Sequence, residues 1–445
     1  MALTANADSF KPAEMMRATT IELHAGPAVD PLAWLAAAPT NDEAWYWEVP
    51  DDDTAWVGLG TAAVVDVEGA GRFADAATAI ALIWDGIEID APMGAPAMRL
   101  AAGFGFDHHP PKSSTSWSAF GAGRLVLPAV QITRHAGRTW MTRVDHHDRP
   151  TPMFNIPSPS TTATAEPFDH TDLAAREHYR QLVRLALAAI ERGELEKAVP
   201  CRSIQISHRP ELAALLAALR VTYPTCATLA VRPSGGAAVF VGATPERLAA
   251  VHTGHLHTAA LAGSAPRDTD RAIDASLGQG LLISPKERAE HSLVVEAIDR
   301  ALDGLGVSHR HPRNPVLLQL HGIQHLHTPI DAELPEGVGL LELVGALHPT
   351  PAVSGYPGQP AAELRATHEG MERGWFASPV GWLDAMGNGE FRVALRTGLI
   401  HRDGTTLYAG AGVVAGSDPD RELAETDVKL RTLLGLVLAA ERAVS

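Results

Sequence analysis

Cysteine is nearly absent: the 445 residues contain two, Cys201 and Cys226. So few exclude a disulfide framework and fit a reducing compartment. Positive charge is in deficit, with 36 Lys and Arg against 52 Asp and Glu and a formal net charge of −16. That balance argues against a nucleic-acid or anionic-membrane partner, so an anionic ligand must be drawn in by local cations. No run approaches the roughly 20 apolar residues of a membrane span. The N-terminal stretch has no basic region followed by an apolar core, so no secretory leader is expected. The expectation is a cytoplasmic protein. Aromatics are scarce at 5%, yet 46% of the residues are hydrophobic, enough for a large buried core.

What is present is a series of short strands with helices between them. Residues 1–30 show little periodicity and read as chain lying loosely on the surface. Helix-like spacing marks 73–83. Residues 124–133 and 138–144 read as a hairpin around His135-Ala136-Gly137, with Pro128 at an edge or bulge. Residues 151–169, rich in Pro, Ser and Thr, form the clearest linker and separate a weakly patterned 1–169 from a strongly patterned 170–445. One continuous domain with a long surface loop would read the same way. Further helices are predicted at 171–192, at 286–302 behind a Ser284-Pro285 start, and at 419–443 capped by Ser417. Hairpins are predicted around Thr253-Gly254 and around Gly387-Asn388-Gly389, the second joining 382–384 to 391–400. Repeated hairpins with helices between them indicate an α+β protein with large antiparallel sheets. The alternating histidines, His325 and His327 among them, read as solvated or capping residues in preference to a zinc site, since no cysteines complete a tetrahedral set.

The stretch 409–429, AGAGVVAGSDPDRELAETDVK, opens with Gly410 and Gly412, where backbone can approach a ligand or turn with positive φ. Val413 and Val414 read as a strand end. The helix that follows carries Glu422, Glu425 and Lys429 on one face. Two carboxylates and an ammonium there suit a small anion with a hard cation such as Mg²⁺, and equally a solvated helix face with one Glu425–Lys429 pair. Glu287 and Glu290 repeat the spacing on the 286–302 helix, where the macrodipole alone would favour acids. Lys197 opens an apolar strand; pointing inward it would lose hydration, which lowers its pKa towards a value useful for a base, and pointing outward it would be an ordinary surface lysine. Glu246, in a turn after an apolar strand, could be held protonated as a general acid or pair with Arg247 in water. Arg396 in the strand VALRTG, Lys429 and the backbone at Gly263-Ser264 and Gly410 could hold a carboxylate.

In order along 197–429 stand EKAVPCR, FVGATPERL, TAALAGSAPR, ISPKERAEH, LHPTPAVSGYP, RGWFASPVGW, GNGEFRVALR and YAGAGVVAGSDPDRELAETDVK. These motifs resemble the chorismate-utilising enzymes, and among them the isochorismate synthases; before residue 170 only WSAFGAGRLVLP matches, loosely. The resemblance implies that family's α+β fold of two large antiparallel sheets packed together with surrounding helices. It implies chorismate as substrate and Mg²⁺ as cofactor. Lys197 would be the base that activates water for attack at C2, and Glu246 the acid that protonates the departing C4 hydroxyl. Glu290 and Glu425 would bind the metal, with Glu287 and Glu422 behind them. Gly263, Ser264, His348, Ala352, Arg396, Gly410 and Lys429 would contact substrate. Lys197 together with Ala262-Gly263-Ser264 fits water as nucleophile, in contrast to the anthranilate and aminodeoxychorismate branches of the family. The intact 348–352 segment favours stopping at isochorismate over salicylate. The alternatives are a salicylate synthase or a catalytically silent chorismate-binding protein. Pro285 and Glu287, and Ala198, Pro200 and Cys201, depart from the usual family pattern without removing a reactive group. The product would serve menaquinone or a catechol siderophore, the long N-terminal region leaning to the former. A monomer or weak homodimer is expected.

Overall fold

A computed structural model describes residues 3–4, 15–24, 29–146, 173–236 and 238–440. The 151–169 linker, the start of the helix predicted from 171 and the end of the one predicted to 443 lie outside them.

Two eleven-stranded sheets dominate, and their pairings are antiparallel except at Leu3–Thr4 with Ala63–Asp66 and at Met16–Leu23 with Ile87–Asp90. Each joins strands from both sides of the 151–169 stretch. Ala44–Val49 pairs with Ala227–Arg232 in one sheet, and Arg99–Phe104 with Pro379–Asp384 in the other. The alternation of a strand is visible in AWYWEV: Trp45, Trp47 and Val49 face the core shared with the second sheet, while Ala44 and Tyr46 face helices on the outside. The shared core takes Trp45 and Trp56 from one sheet and Phe104, Val126, Phe391 and Val393 from the other. The outer layer is formed by Pro31–Ala37, Leu212–Thr222 and Pro419–Ala439, the last through Leu430, Leu433, Leu434 and Val437. No helix among the described residues is long and apolar enough to cross a membrane.

Several local expectations change. The 1–30 stretch is not all loose chain, because Met16–Leu23 pairs with Arg138–His146 over its whole length. The 124–133 run is two strands. Gly123–Leu127 belongs to one sheet and Val130–His135 to the other, with Pro128, which has no N–H to give a ladder, at the break. Residues 391–400 divide the same way into Gly389–Val393 and Thr397–His401. Asp418, not Ser417, caps the C-terminal helix by accepting from Asp420 N and Arg421 N at 3.1 and 3.0 Å; Ser417 Oγ instead accepts from Val414 N. The preceding strand ends at Gly410, and Val413 makes only an isolated bridge to Ala198.

Candidate active site

The site lies where the chain changes sheets. One crossing, from Ala238–Thr244 to Arg247–His252, carries Glu246; the other, from Gly389–Val393 to Thr397–His401, carries Arg396. The two crossings are tied together: Val393 N donates to Glu246 O at 2.9 Å and Ala243 N to Arg396 O at 3.3 Å. Arg396 is therefore not a strand residue as predicted. It takes φ +52, the left-handed region that a non-glycine residue occupies only where its surroundings hold it.

A cavity opens beside these crossings. Its wall includes Glu246, Gly263, Ser264, Glu290, Ala352, Arg396, Gly410, Glu425 and Lys429, nine of the thirteen residues singled out from sequence. They arrive on several elements. Gly263, at φ +75, sits in the register shift between Ala262 and Ser264 that turns the His255–Pro266 strand toward the cavity. Glu290 comes from the Pro285–Gly304 helix, begun by Ser284 Oγ accepting from Glu287 N, and Glu425 and Lys429 from the Pro419–Ala439 helix.

Lys197 is wholly buried, with Nζ 2.9 Å from Glu290 Oε1. It stands behind Glu290 and is not part of the cavity wall. The ion pair falls outside hydrogen-bonding geometry, and Nζ has no hydrogen-bond partner among the described residues. Gly412 makes room for the pair: a Cβ there would overlap Glu290 Oε1 and lie 3.1 Å from Lys197 Cε. Neither Gly410 nor Gly412 has positive φ, so both serve close approach, Gly410 against Cys201 Sγ.

Burial raises the Glu246 carboxyl to about 7, although Lys197, Lys429 and Arg396 pull against the shift. Its side chain has no hydrogen-bond donor among the described residues, which leaves the neutral acid favoured. Burial also works against the Lys429 ammonium, but Glu425 Oε1 at 2.8 Å holds its pKa above the usual value; Nζ donates to Gly410 O at 2.9 Å.

The acids crowd together. Glu287 Oε2 accepts from Ser264 N at 3.3 Å; burial, then the charge of Glu290 and of Glu425, raises its pKa. Glu422 is held by Lys286 at 2.9 Å, and burial followed by Glu425 raises its pKa as well. Glu287 and Glu422 thus stand behind the wall, not in it. Hard oxygen donors in excess, on two helices beside a cavity, are a fitting donor set for a divalent cation. No group of three or more His, Cys, Asp or Glu among the described residues forms a preassembled cage, so solvent or ligand oxygens would have to complete the coordination.

His348 is elsewhere. Its ring packs against Phe106 and Phe73, burial pushes its pKa down to about 3, and it supports the cavity only through the chain leading to Ala352. His325, read from sequence as solvated or capping, is buried in the wall. Its Nε2 accepts from Arg396 Nη2 at 2.9 Å, so the proton is on Nδ1, facing Ser264 Oγ at 3.1 Å and Gly263 O at 3.3 Å. Burial and the Arg396 charge hold it neutral. The signal lay in the pairing of Ser264 with His325 across two strands, which a single sequence does not display.

The family described as chorismate binding enzyme matches residues 12–438. A salicylate biosynthesis isochorismate synthase of Pseudomonas aeruginosa is 36% identical over 409 residues, 87% of this chain and 83% of that protein. The isochorismate synthase MenF of Bacillus subtilis is 29% identical, over 93% of this chain and 92% of its own. Among solved structures, the menaquinone-specific isochorismate synthase MenF of Escherichia coli aligns with a TM-score of 0.77 at 27% identity, covering 95% of this chain and 94% of that one.

Proposed function

The chain belongs to the chorismate-binding enzyme family, and from that membership we propose that it is an isochorismate synthase. In this reading water attacks C2 of chorismate and the C4 hydroxyl leaves across the diene. The observation that carries it is a buried carboxyl, Glu246, raised by burial to about 7, in one cavity wall with Arg396 and Lys429, while the buried amine of Lys197 stands directly behind Glu290 of the same wall. A neutral acid and a desolvated amine are the two groups such a displacement needs.

Lys197 takes a proton from the attacking water and Glu246 gives its own to the departing hydroxyl. Arg396 and Lys429 supply the positive charge that an anionic substrate requires in a chain of net charge −16. Gly263, Ser264, Ala352 and Gly410 shape the wall, and His325 orients the Arg396 guanidinium. Glu290 and Glu425 would hold Mg²⁺, with Glu287 and Glu422 supporting them. When bound, the ion would neutralise a substrate carboxylate. The product is proposed to serve menaquinone or a catechol siderophore.

The test is incubation with chorismate and Mg²⁺, the product identified by NMR. Isochorismate alone is expected. Salicylate with pyruvate would make the protein a salicylate synthase, and unconsumed chorismate would make it a binding protein.

A further inference from the structure

Glu246 stands between two cavities. Together with Pro245 and Leu261 it lines the one just described and a second, of about 480 Å³, on the other side of the crossing. The second has room for a column of water molecules. Its wall mixes apolar side chains with the polar groups of Arg247, His327 and Arg392, and it reaches the surface at Asp51, Asp52 and the half-exposed pair His257–Asp331, whose Nδ1 and Oδ1 are 2.6 Å apart. Neither Arg396 nor Lys429, the cations of the first cavity, lines it.

We propose that the second cavity is the route by which Glu246 regains its proton from solvent after each turnover. The inference rests on the isochorismate synthase reading. In that reaction Glu246 loses one proton to the C4 hydroxyl, which departs as water, while Lys197 gains one from the attacking water. That reading places the substrate ring between the two groups, so the proton on Lys197 is not returned directly. Lys197 releases it to water when the product leaves, and a proton from water in the second cavity restores the Glu246 acid. Proton gain and loss balance over the cycle, and solvent is the only co-reactant.

The test separates the first turnover from later ones. Ala259 faces the second cavity and is absent from the first, so Ala259→Phe narrows the route without touching the substrate wall. In rapid-quench experiments with the full chain, Mg²⁺ and chorismate, the variant is expected to make its first equivalent of isochorismate at the wild-type rate. It then slows about tenfold, with KM for chorismate unchanged, because a step after chemistry has become limiting. Ala259→Ser, which keeps the cavity open, should behave as wild type. Thr225→Tyr narrows the mouth from an exposed loop and should reproduce the burst if the Phe variant fails to fold. An unchanged steady state, or equal slowing of the first and later turnovers, overturns the route. A wild-type protein that makes no isochorismate overturns the functional reading beneath it, a result distinct from either.

Discussion

Lys197 Nζ and Glu290 Oε1 lie 2.9 Å apart with the lysine side chain fully buried, so the amine assigned as base and a carboxylate assigned to the metal are one ion pair. Truncating Lys197 removes the base and leaves Glu290 without its partner. Lys197→Ala should lower kcat/KM by about 10²–10⁴, the usual worth of positioned proton transfer. Circular dichroism should show the fold retained. Near-normal turnover would remove the lysine from the mechanism.

In the proposed mechanism Glu246 sets the pH dependence. Its folded pKa of about 7 lies above the 4.5 of an exposed glutamate, so the acid form required for catalysis is lost as pH rises through about 7. The kcat/KM profile should show that descending limb, and Glu246→Gln should abolish both the limb and most of the activity. The stability sign follows from the same shift. Between about 4.5 and 7 the folded state holds a proton that the unfolded state has released, so wild-type stability falls across that window. Glu246→Gln should escape this fall and melt above the wild type at pH 8, the gap closing below about pH 5. Parallel melting curves at all pH values would show that Glu246 does not carry the shift.

Much of this was legible in the sequence because motif residues cluster where local chemistry is distinctive: Glu246 in a tight turn, Glu290 after a capped helix start, Glu425 and Lys429 one turn apart. What was not legible depends on pairing between distant segments. Arg396 and Pro128 mark places where one apolar run serves two sheets, and a hydrophobic pattern does not say to which sheet each half belongs. His325 looked like one of several loose histidines until its strand was set beside Ser264. His348 sits in a motif that reaches the cavity at Ala352, but its own side chain turns toward Phe73 and Phe106.

Gly412 tests whether the Lys197–Glu290 contact needs its bare backbone. A methyl group there would overlap Glu290 Oε1. Gly412→Ala should weaken Mg²⁺ binding, read by calorimetry without substrate, and lower kcat about 10²-fold, as expected when a catalytic group is displaced by about 1 Å. Wild-type metal affinity would mean that Glu290 moves freely.

His325 is predicted to act through Arg396. Its loss should free the guanidinium and cost a charge-assisted hydrogen bond, about 1.5–3 kcal/mol. His325→Ala should therefore raise KM for chorismate at least about tenfold, with a smaller effect on kcat. A fall confined to kcat would place His325 in the chemistry instead of in substrate positioning.

The central claim is that a water molecule, deprotonated at Lys197, supplies the new hydroxyl while Glu246 expels the old one. Turnover of chorismate in ¹⁸O-labelled water, with mass spectrometry of the isochorismate formed, tests it most directly. The account predicts one solvent oxygen in the product, at C2. Isochorismate that carries only the oxygen originally on C4 would contradict it.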